Sequence, residues 1–309
     1  MLKYVLKRLG YILVTLWVIV TCTFFMMKNL PGTPFDAERF SIMTPQQQER
    51  VLEMYGLNDS LPMQYVKYIK NMLKGDLGTS FTYVNQDVSK VITGRLGPSA
   101  LIGIQAVLIG LAIGLILGIL AAWKHNSGID YFTMILAVLG VSVPNFVAAA
   151  LLQYYIGLKW GVLPVGFWTG WNCSVLPSIA LSFSATAMVA RFMRTEMLDV
   201  LDQDYIVTAR AKGLSQMKVL MRHAVRNSIL PVVTILGPIV VNLMTGSLAV
   251  ENIFSIPGIG SLFVDCIKAN DYPVIMGITI FYAAFYMLVV LLVDLAYSLI
   301  DPRIRLGGK

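Results

Sequence analysis

The side chains best suited to recognising a partner lie in one polar segment, residues 204–231, between two long apolar stretches. Within this segment and just before it, apolar residues recur at helical spacing on both sides of Gly213. They are Leu198, Leu201 and Tyr205 before the glycine, and Leu214, Met217 and Met221 after it. Lys218, Arg222 and Arg226 step by four and would form one basic row. Two amphipathic helices joined at a glycine could bind a partner protein, and an amphipathic loop lying on anionic lipid headgroups is an equal alternative.

Residues able to catalyse a reaction are scarce in this chain. The Gly308-Lys309 pair lacks the Ser or Thr that follows the lysine of a nucleotide-binding loop. His125 and His223 fall in different loops, without the spacing of a zinc site. No Gly-x-Ser-x-Gly nucleophile pattern is present. The residues therefore predict no catalytic or metal site and no cofactor, and any work the chain performs must be driven by another subunit.

Composition predicts an all-α polytopic membrane protein. Hydrophobic residues make up 57% of the chain, charged residues only 13%, and the mean hydropathy is +0.71. Soluble domains contain about 25% charged residues, and a membrane-spanning helix needs about 20 mostly apolar residues. Six segments meet that requirement: 9–29, 99–123, 132–157, 175–193, 229–250 and 274–299.

Loop charges predict the orientation of these six helices, because basic residues concentrate on the cytoplasmic side. With the N-terminus inside, 14 of the 24 basic residues fall in inner segments, namely the N-terminal tip, the loop at Lys124, residues 191–228 and the C-terminal tail. Both termini are therefore expected in the cytoplasm. The net charge of +7 follows from this bias, and nucleic-acid binding is a poor explanation for it.

The predicted outer segment 31–98 is the one large insertion between spans. Thr44-Pro45 supplies a helix cap and a first-turn proline for a helix that reaches Tyr55, before Gly56. A second helix over 61–74 would carry an apolar face of Tyr65, Ile69 and Met72. This segment either caps the outer helix ends or docks an external partner, and the residues favour neither.

Small residues and prolines predict how the spans pack. Gly110, Gly114 and Gly118 follow one another at spacings of four and would let the second span approach a neighbouring helix closely. Pro144 predicts a kink in the third span, because proline removes a helix hydrogen bond. Asn145 beside it would satisfy freed backbone groups, with a role in the pathway as the less favoured alternative.

Two further observations concern isolated polar and thiol groups. Asp294 is the only clear acid within the spans; it would pair with Arg303 or Arg305 at the inner surface, or else serve as a proton or substrate site. Cys173 and Cys266 both fall in outer segments and could form a disulfide, but two unrelated cysteines are the favoured interpretation.

Several motifs together resemble the permeases of the dipeptide/oligopeptide family of ABC importers. The string from Asp204 to Leu214 resembles that family's cytoplasmic coupling segment. Other matching motifs are Lys7-Arg8-Leu9, Leu30-Pro31-Gly32, Tyr55-Gly56-Leu57, Gly75-Asp76-Leu77-Gly78-Thr79-Ser80, Ser142-Val143-Pro144-Asn145-Phe146, Asn252 to Gly260, Asp271-Tyr272-Pro273 and Asp301-Pro302-Arg303. The sequence departs from the broader permease signature at Val207-Thr208-Ala209 and at Arg226, where a Glu and a Pro are usual.

The resemblance implies a type I importer permease in a bacterial plasma membrane, in which the 191–228 loop docks into a cytoplasmic ATPase. Ala209 and Gly213 would then allow close approach to the ATPase. Tyr205, Leu214 and Met217 would fill its cleft, while Arg210 and Lys212 would set the electrostatics. The chain would comprise a first helix over 1–30, an external loop over 31–98 and the permease domain over 99–309.

The same resemblance implies the partners and the cargo. The partners would be a second homologous permease, two cytoplasmic subunits that bind ATP and magnesium, an external solute-binding protein and membrane lipid. Peptides are the favoured cargo; the substrate-binding residues are unknown. The alternatives are an importer permease for nickel chelates, glutathione or another small solute, and a stand-alone secondary carrier.

Overall fold

The computed structural model describes residues 2–29, 40, 42–54, 56–83, 86–245 and 247–300, and it is almost entirely α-helical. In chain order the helices are α1 Leu2–Lys28, α2 Pro45–Met54, α3 Leu61–Leu73, α4 Val88–Trp123, α5 Gly128–Ser142, α6 Asn145–Leu152, α7 Val175–Leu201, α8 Asp204–Ala211, α9 Gln216–Val219, α10 Arg226–Met244, α11 Leu248–Ile253, α12 Ile259–Lys268 and α13 Tyr272–Ile300. Short π-helical stretches follow α6 and α9, at Gln153–Lys159 and Leu220–Val225.

The predicted membrane helices are present in this fold. Five helical stretches of the described residues are long and apolar enough to cross a membrane: Lys7–Lys28, Val88–Trp123, Trp171–Leu201, Gln216–Ile253 and Tyr272–Val293. A sixth is formed if Gly128–Ser142 and Asn145–Lys159 together make one bent crossing. The fold class predicted from composition, an all-α polytopic membrane protein, is confirmed.

The third crossing breaks at Pro144 rather than kinking. Its two halves meet at 101°, and Val143 has an extended backbone with φ −80° and ψ 119°. Proline disfavours the helical conformation of the residue before it, so α5 ends at Ser142 and α6 starts anew at Asn145. The prediction of one kinked helix over 132–157 was wrong in this respect.

Two other boundaries differ from the sequence prediction. Helix α4 begins at Val88, and Pro98 lies inside it instead of preceding it. The sequence predicts residues 88–98 as the end of the outer loop, whereas in the structure they form the start of α4. Likewise, the fifth predicted span ends at Met244, and α11 and α12 follow it.

The larger of two compact units, residues 98–260 and 286–300 of the described chain, is built around α7. Helices α5, α6 and α10 all pack against α7. Ala180, Ala185, Val189, Met193 and Met197 are buried along its length. A helix buried on several sides must carry apolar residues around much of its circumference, and α7 does so.

Helix α4 meets α7 along its glycines. A Cβ atom placed on Gly110 or Gly114 would lie 2.7 Å from the Cβ of Ala185 or Val189, and one on Gly118 would lie 2.6 Å from the carbonyl oxygen of Ala190. Contacts this short exclude any side chain. The two backbones therefore approach to a distance that glycine permits and larger residues do not.

The smaller unit, residues 2–97 and 261–285, joins α1, α3 and the start of α13. Helices α2 and α3 confirm the two predicted short helices, and Gly56 and Gly75 end them with φ of +63° and +83°. Thr44 and Gln47 exchange hydrogen bonds at the start of α2, which is a capping box. Buried Asp271 accepts hydrogen bonds from the Ser80 hydroxyl and the Thr82 amide.

Two sequence expectations concern individual cysteine and aspartate side chains. Cys173 and Cys266 are buried free thiols, in different units. Asp294 belongs to α13, but its side chain is outside the described part of the molecule, as are its expected partners Arg303 and Arg305. The predicted pairing of Asp294 therefore stays a prediction.

A matched pair of alanine substitutions tests the glycine contact. Gly114→Ala places a methyl group against Val189 and the Thr186 carbonyl, and overpacking of this kind costs about 1–3 kcal/mol. Gly97→Ala, on the same helix, meets no atom within 4 Å and should be neutral or slightly stabilising. We expect a lower thermal unfolding temperature in detergent for Gly114→Ala alone; equal temperatures for the two variants would contradict the close packing.

Candidate functional site

Residues 204–225 of the polar segment fold as two short helices and a π-helical stretch, which lead from the end of α7 into α10. Asp204 lies in the first turn of α8, where a carboxylate interacts favourably with the helix dipole. Helix α9 then runs through the π-helical stretch Leu220–Val225 into α10. The segment is therefore continuous with a membrane helix at both of its ends.

A glycine turn joins the two helices, as the sequence predicts. Gly213 has φ +79°, the left-handed conformation that glycine adopts most readily. The amide of Gly213 donates to the Arg210 carbonyl at 2.9 Å, and the amide of Leu214 donates to the Ala209 carbonyl at 3.4 Å. These two bonds form a Schellman motif. No atom lies within 4 Å of a Cβ on Gly213, so this position requires glycine for its backbone conformation and not for space.

An apolar cluster holds the two helices together. Ile206, Ala209 and Val219 are buried in it, and Leu214 packs against them. Val200 and Leu201, from the last turn of α7, cover the same cluster. Because the cluster includes the end of α7, the polar segment is packed onto that helix as a compact extension of it.

Hydrogen bonds attach the segment to α10 and α7. The Asn227 side-chain amide donates to the Tyr205 hydroxyl at 3.0 Å. The Ser228 hydroxyl contacts the carbonyl oxygens of Ala224, at 2.9 Å, and Glu196, at 3.3 Å. These contacts connect the helix that enters the segment to the helix that leaves it.

The predicted partner-binding residues divide into two groups. Tyr205 and Met217 are 42% and 51% exposed, and Arg210, Lys212 and Gly213 are exposed beside them. Ala209 is buried and Leu214 is half-buried within the cluster, so both contribute to packing inside the segment. The surface also carries Val207, Met221, Lys218, Arg222 and Arg226, which are all exposed.

A charged cluster links the loop after α4 to α7, at the end of α7 nearer the polar segment. Arg194 binds the carboxylate of Asp130 in a bidentate manner, with distances of 2.6 Å and 2.8 Å. His125 lies 3.1 Å from the same carboxylate, and the amide of Asn126 donates to it. No local pattern in the sequence predicts this cluster, because Arg194 and Asp130 are 64 residues apart.

A second buried acid that the sequence does not predict lies in α11, close to the start of α12. Glu251 is 2% exposed, and its carboxylate accepts a hydrogen bond from the Ser99 hydroxyl at 2.7 Å. Ser99 in turn accepts one from the amide of Ile259 at 2.9 Å. A side chain at Gly258 would collide with the Glu251 carboxylate. Glu251 thus holds the turn before α12 against α4. In the sequence, only the glycines at 258 and 260 indicate a close contact at this turn.

Metal-ligating side chains are not clustered in the part of the chain that the structure describes. No group of three or more His, Cys, Asp or Glu side chains is placed there so as to hold a metal ion. The arrangement that the described residues do offer is an exposed two-helix surface packed on the end of α7, the central helix of the larger unit.

Comparisons with known proteins agree with this arrangement. Residues 114–306 match the family described as binding-protein-dependent transport system inner membrane component, and residues 1–96 match its N-terminal family. A dipeptide transport system permease protein of Lactococcus lactis subsp. cremoris (strain MG1363) is 46% identical over 306 residues, covering 99% of this chain and 100% of the relative. The corresponding protein of Bacillus subtilis (strain 168) is 43% identical over 311 residues, covering 100% of both.

More distant similarities point the same way. An oligopeptide transport system permease protein of Escherichia coli (strain K12) is 38% identical over 307 residues, which cover 99% of this chain and 100% of the relative. The solved structure of an amino acid ABC transporter with histidines superposes with a TM-score of 0.52. It shares 19% identity and covers 70% of this chain and 95% of its own, so it shows the fold alone.

Neighbouring residues of α8 test whether the apolar cluster makes the polar segment rigid. Ile206→Ala removes a fully buried side chain, a change that costs about 2–5 kcal/mol. Val207→Ala, one residue on, alters a side chain that is 59% exposed. We expect faster amide hydrogen exchange over residues 204–219 in the first variant only. Unchanged exchange in Ile206→Ala would show that the cluster does not hold the segment.

Proposed function

Since the chain belongs to the family of binding-protein-dependent transport system inner-membrane components, we propose that its polar segment is where a separate cytoplasmic ATPase drives the transporter. The chain is a permease subunit of an ABC peptide importer, in a bacterial plasma membrane. What this chain must supply is therefore a pathway through the membrane and a mechanical link to the subunits that hydrolyse ATP.

The packing of the polar segment onto α7 is the observation that supports this proposal most directly. Ile206, Ala209 and Val219 form one buried cluster with the last turn of α7. A displacement of α8 and α9 by an ATPase therefore carries α7 with it. Because α5, α6 and α10 pack against α7, the movement reaches most helices of the larger unit.

The composition of the exposed surface suits a protein cleft. Tyr205 and Met217 offer large side chains that an ATPase can bury, and the surrounding basic residues favour an acidic rim. The alternative, a loop lying on lipid headgroups, needs a continuous apolar face. Here the two helices turn much of their apolar face towards each other, into the buried cluster, which favours the protein partner.

The remaining subunits follow from the same proposal. Two ATP-binding subunits would hold ATP and magnesium, a second homologous permease would complete the pathway, and an external binding protein would deliver the cargo. Lipid would surround the spans. Nickel chelates, glutathione or another small solute remain the alternative cargo, but the named relatives are dipeptide and oligopeptide permeases.

Contacts at the two ends of the larger unit support the proposed orientation. Arg194 joins the loop at residues 124–130 to the end of α7 that continues into the polar segment, so these two inner segments share one side. The amide of Phe167 donates to the Phe254 carbonyl at 2.8 Å, joining two predicted outer segments. We retain residues 1–30 as first helix and 99–309 as permease domain, and within the proposed external region 31–98 the last residues, 88–98, form the start of α4.

Transport in vesicles tests the proposed function directly. The chain, reconstituted with its partner permease, ATPases and binding protein, should accumulate a radiolabelled dipeptide only when ATP is present at the ATPase face. Uptake by this chain alone, driven by an ion gradient, would identify a secondary carrier instead. Accumulation of nickel chelates or glutathione without dipeptide uptake would replace the proposed cargo.

Two substitutions at Gly213 separate backbone conformation from side-chain size. Gly213→Val forces a β-branched residue into the left-handed region, at a cost of about 1–2 kcal/mol, and should distort the surface between α8 and α9. We expect ATP hydrolysis to continue with transport reduced several-fold. Gly213→Asn adds a side chain of similar bulk that tolerates positive φ, and should transport normally. Equal transport by both variants would remove the turn from the coupling mechanism.

Single cysteines test the orientation. Ser60 precedes α3 and Lys212 follows α8, and both residues are exposed. In intact spheroplasts, a membrane-impermeant maleimide should label Ser60→Cys and leave Lys212→Cys unlabelled until the membrane is opened. Labelling of the unsubstituted chain measures the background from its native cysteines. External labelling of Lys212→Cys would invert the proposed topology.

A further inference from the structure

A cavity in the smaller unit lies where the first span ends. Its volume is about 350 Å³, and it is walled by α1, α3, the 76–81 loop and the start of α13. Aromatic side chains form much of the wall, including Phe24, Tyr68, Phe81 and Tyr272. A cavity of this size, mostly apolar with a few convergent polar groups, is typical of a small-molecule site.

Two hydrogen-bond donors of this cavity have no acceptor in the part of the chain that the structure describes. The Tyr68 hydroxyl is buried and has no hydrogen-bond partner among the described residues, and burial raises the pKa of this phenol. The ammonium group of Lys28 lies 5.8 Å from the centroid of the Phe24 ring. Within residues 2–29, 40, 42–54 and 56–83, no carboxylate forms a salt bridge with Lys28, whereas Lys67 is bound to Asp59 at 2.6 Å.

Both donors line this cavity, and both lie near the same aromatic ring, that of Phe24. The centroids of the Tyr68 and Phe24 rings are 5.9 Å apart. Phe24 and Lys28 both belong to α1. An O–H donor and an ammonium group that line one cavity can together bind the oxygens of a phosphate or carboxylate. The cavity wall also includes the carboxylates of Glu53 and Asp76, which match an ammonium group. The wall is therefore complementary to a zwitterion.

The position of the cavity indicates where such a zwitterion would come from. Lys28 is the last residue of a membrane-spanning stretch, which places the cavity at the level of the lipid headgroups. The helices that wall the cavity also expose large apolar side chains, namely Phe25 and Met26 on α1 and Val66 and Leu73 on α3. An apolar surface beside a polar cavity suits a molecule that has both a headgroup and acyl chains.

We propose that this cavity binds the headgroup of a zwitterionic phospholipid, with its phosphate at Lys28 and Tyr68 and its ammonium group towards Glu53 and Asp76. The acyl chains lie along the exposed apolar residues of α1 and α3. The lipid fills the space between the first span and the external helix α3, and so holds α3 at the membrane surface.

Lipid retention by the full-length chain tests this site. The chain is equilibrated with phosphatidylethanolamine vesicles, extracted in mild detergent and examined by native mass spectrometry for bound phospholipid. We expect Tyr68→Phe to lower the retained lipid by about 2- to 10-fold, as for the loss of one hydrogen bond. Lys28→Gln removes a charged donor and should lower it by about tenfold or more. Lys70→Gln, an exposed lysine of α3 that does not line the cavity, is the matched control and should retain lipid as the parent does.

Two further comparisons distinguish the ligand. Phosphatidylglycerol, which lacks the ammonium group, should be retained less than phosphatidylethanolamine; equal retention would overturn the zwitterionic assignment. Dialanine, added to the delipidated chain, should not bind at this cavity. Dialanine binding that Lys28→Gln abolishes would show a peptide site and overturn the lipid proposal, as would lipid retention unchanged in both cavity variants. A thermal unfolding measurement checks that Tyr68→Phe is folded. ATP-driven uptake is measured separately and tests the proposed transport function, independently of lipid binding.

Discussion

Direct contact between the glycines of α4 and the side of α7 is the constraint on which the larger unit depends. At Gly110, Gly114 and Gly118 a single methyl group would overlap atoms of α7, so the two helices are as close as backbones allow. Lipid offers little hydrophobic driving force for helices to associate, and close van der Waals contact takes its place. Helices α5, α6 and α10 pack on other sides of α7. The central helix is thus held from several directions and moves only together with its neighbours.

The packing around α7 supports the role proposed for the polar segment. The Schellman turn at Gly213 and the buried cluster around Ile206 make α8 and α9 one body, and the cluster is completed by Val200 and Leu201 of α7. Force applied to the exposed face of the segment therefore reaches the glycine contacts through packed side chains. At the same end of α7, the ion pair between Arg194 and Asp130 connects the loop before α5 to the same lever. In the proposed function, the permease uses this packing to transmit work that other subunits supply.

The sequence predicted those features whose signals are local. Gly213 between two amphipathic runs predicts a helix break, and Thr44-Pro45 predicts a helix start, because each signal acts within one or two turns. The sequence did not predict features that depend on contacts between residues far apart in the chain. Glu251 is buried because Ser99, 152 residues away, donates to it, and Asp130 because Arg194 binds it. Pro144 predicts a disturbed helix, but the 101° between α5 and α6 depends on how both helices pack against α7. The sequence suggests Ala209 as a residue that contacts a partner, whereas the fold buries it inside the polar segment.

Distances within the lever test its rigidity most directly. Spin labels at Asp199, near the end of α7, and at Gln216, at the start of α9, occupy exposed positions on either side of the buried cluster. Pulsed electron paramagnetic resonance on the complete transporter would report their separation with and without ATP. A rigid extension of α7 predicts one narrow distance distribution that ATP leaves unchanged, while the distance from Gln216 to the partner permease shifts. A distribution between Asp199 and Gln216 that broadens or moves with ATP would show a flexible joint and contradict the lever.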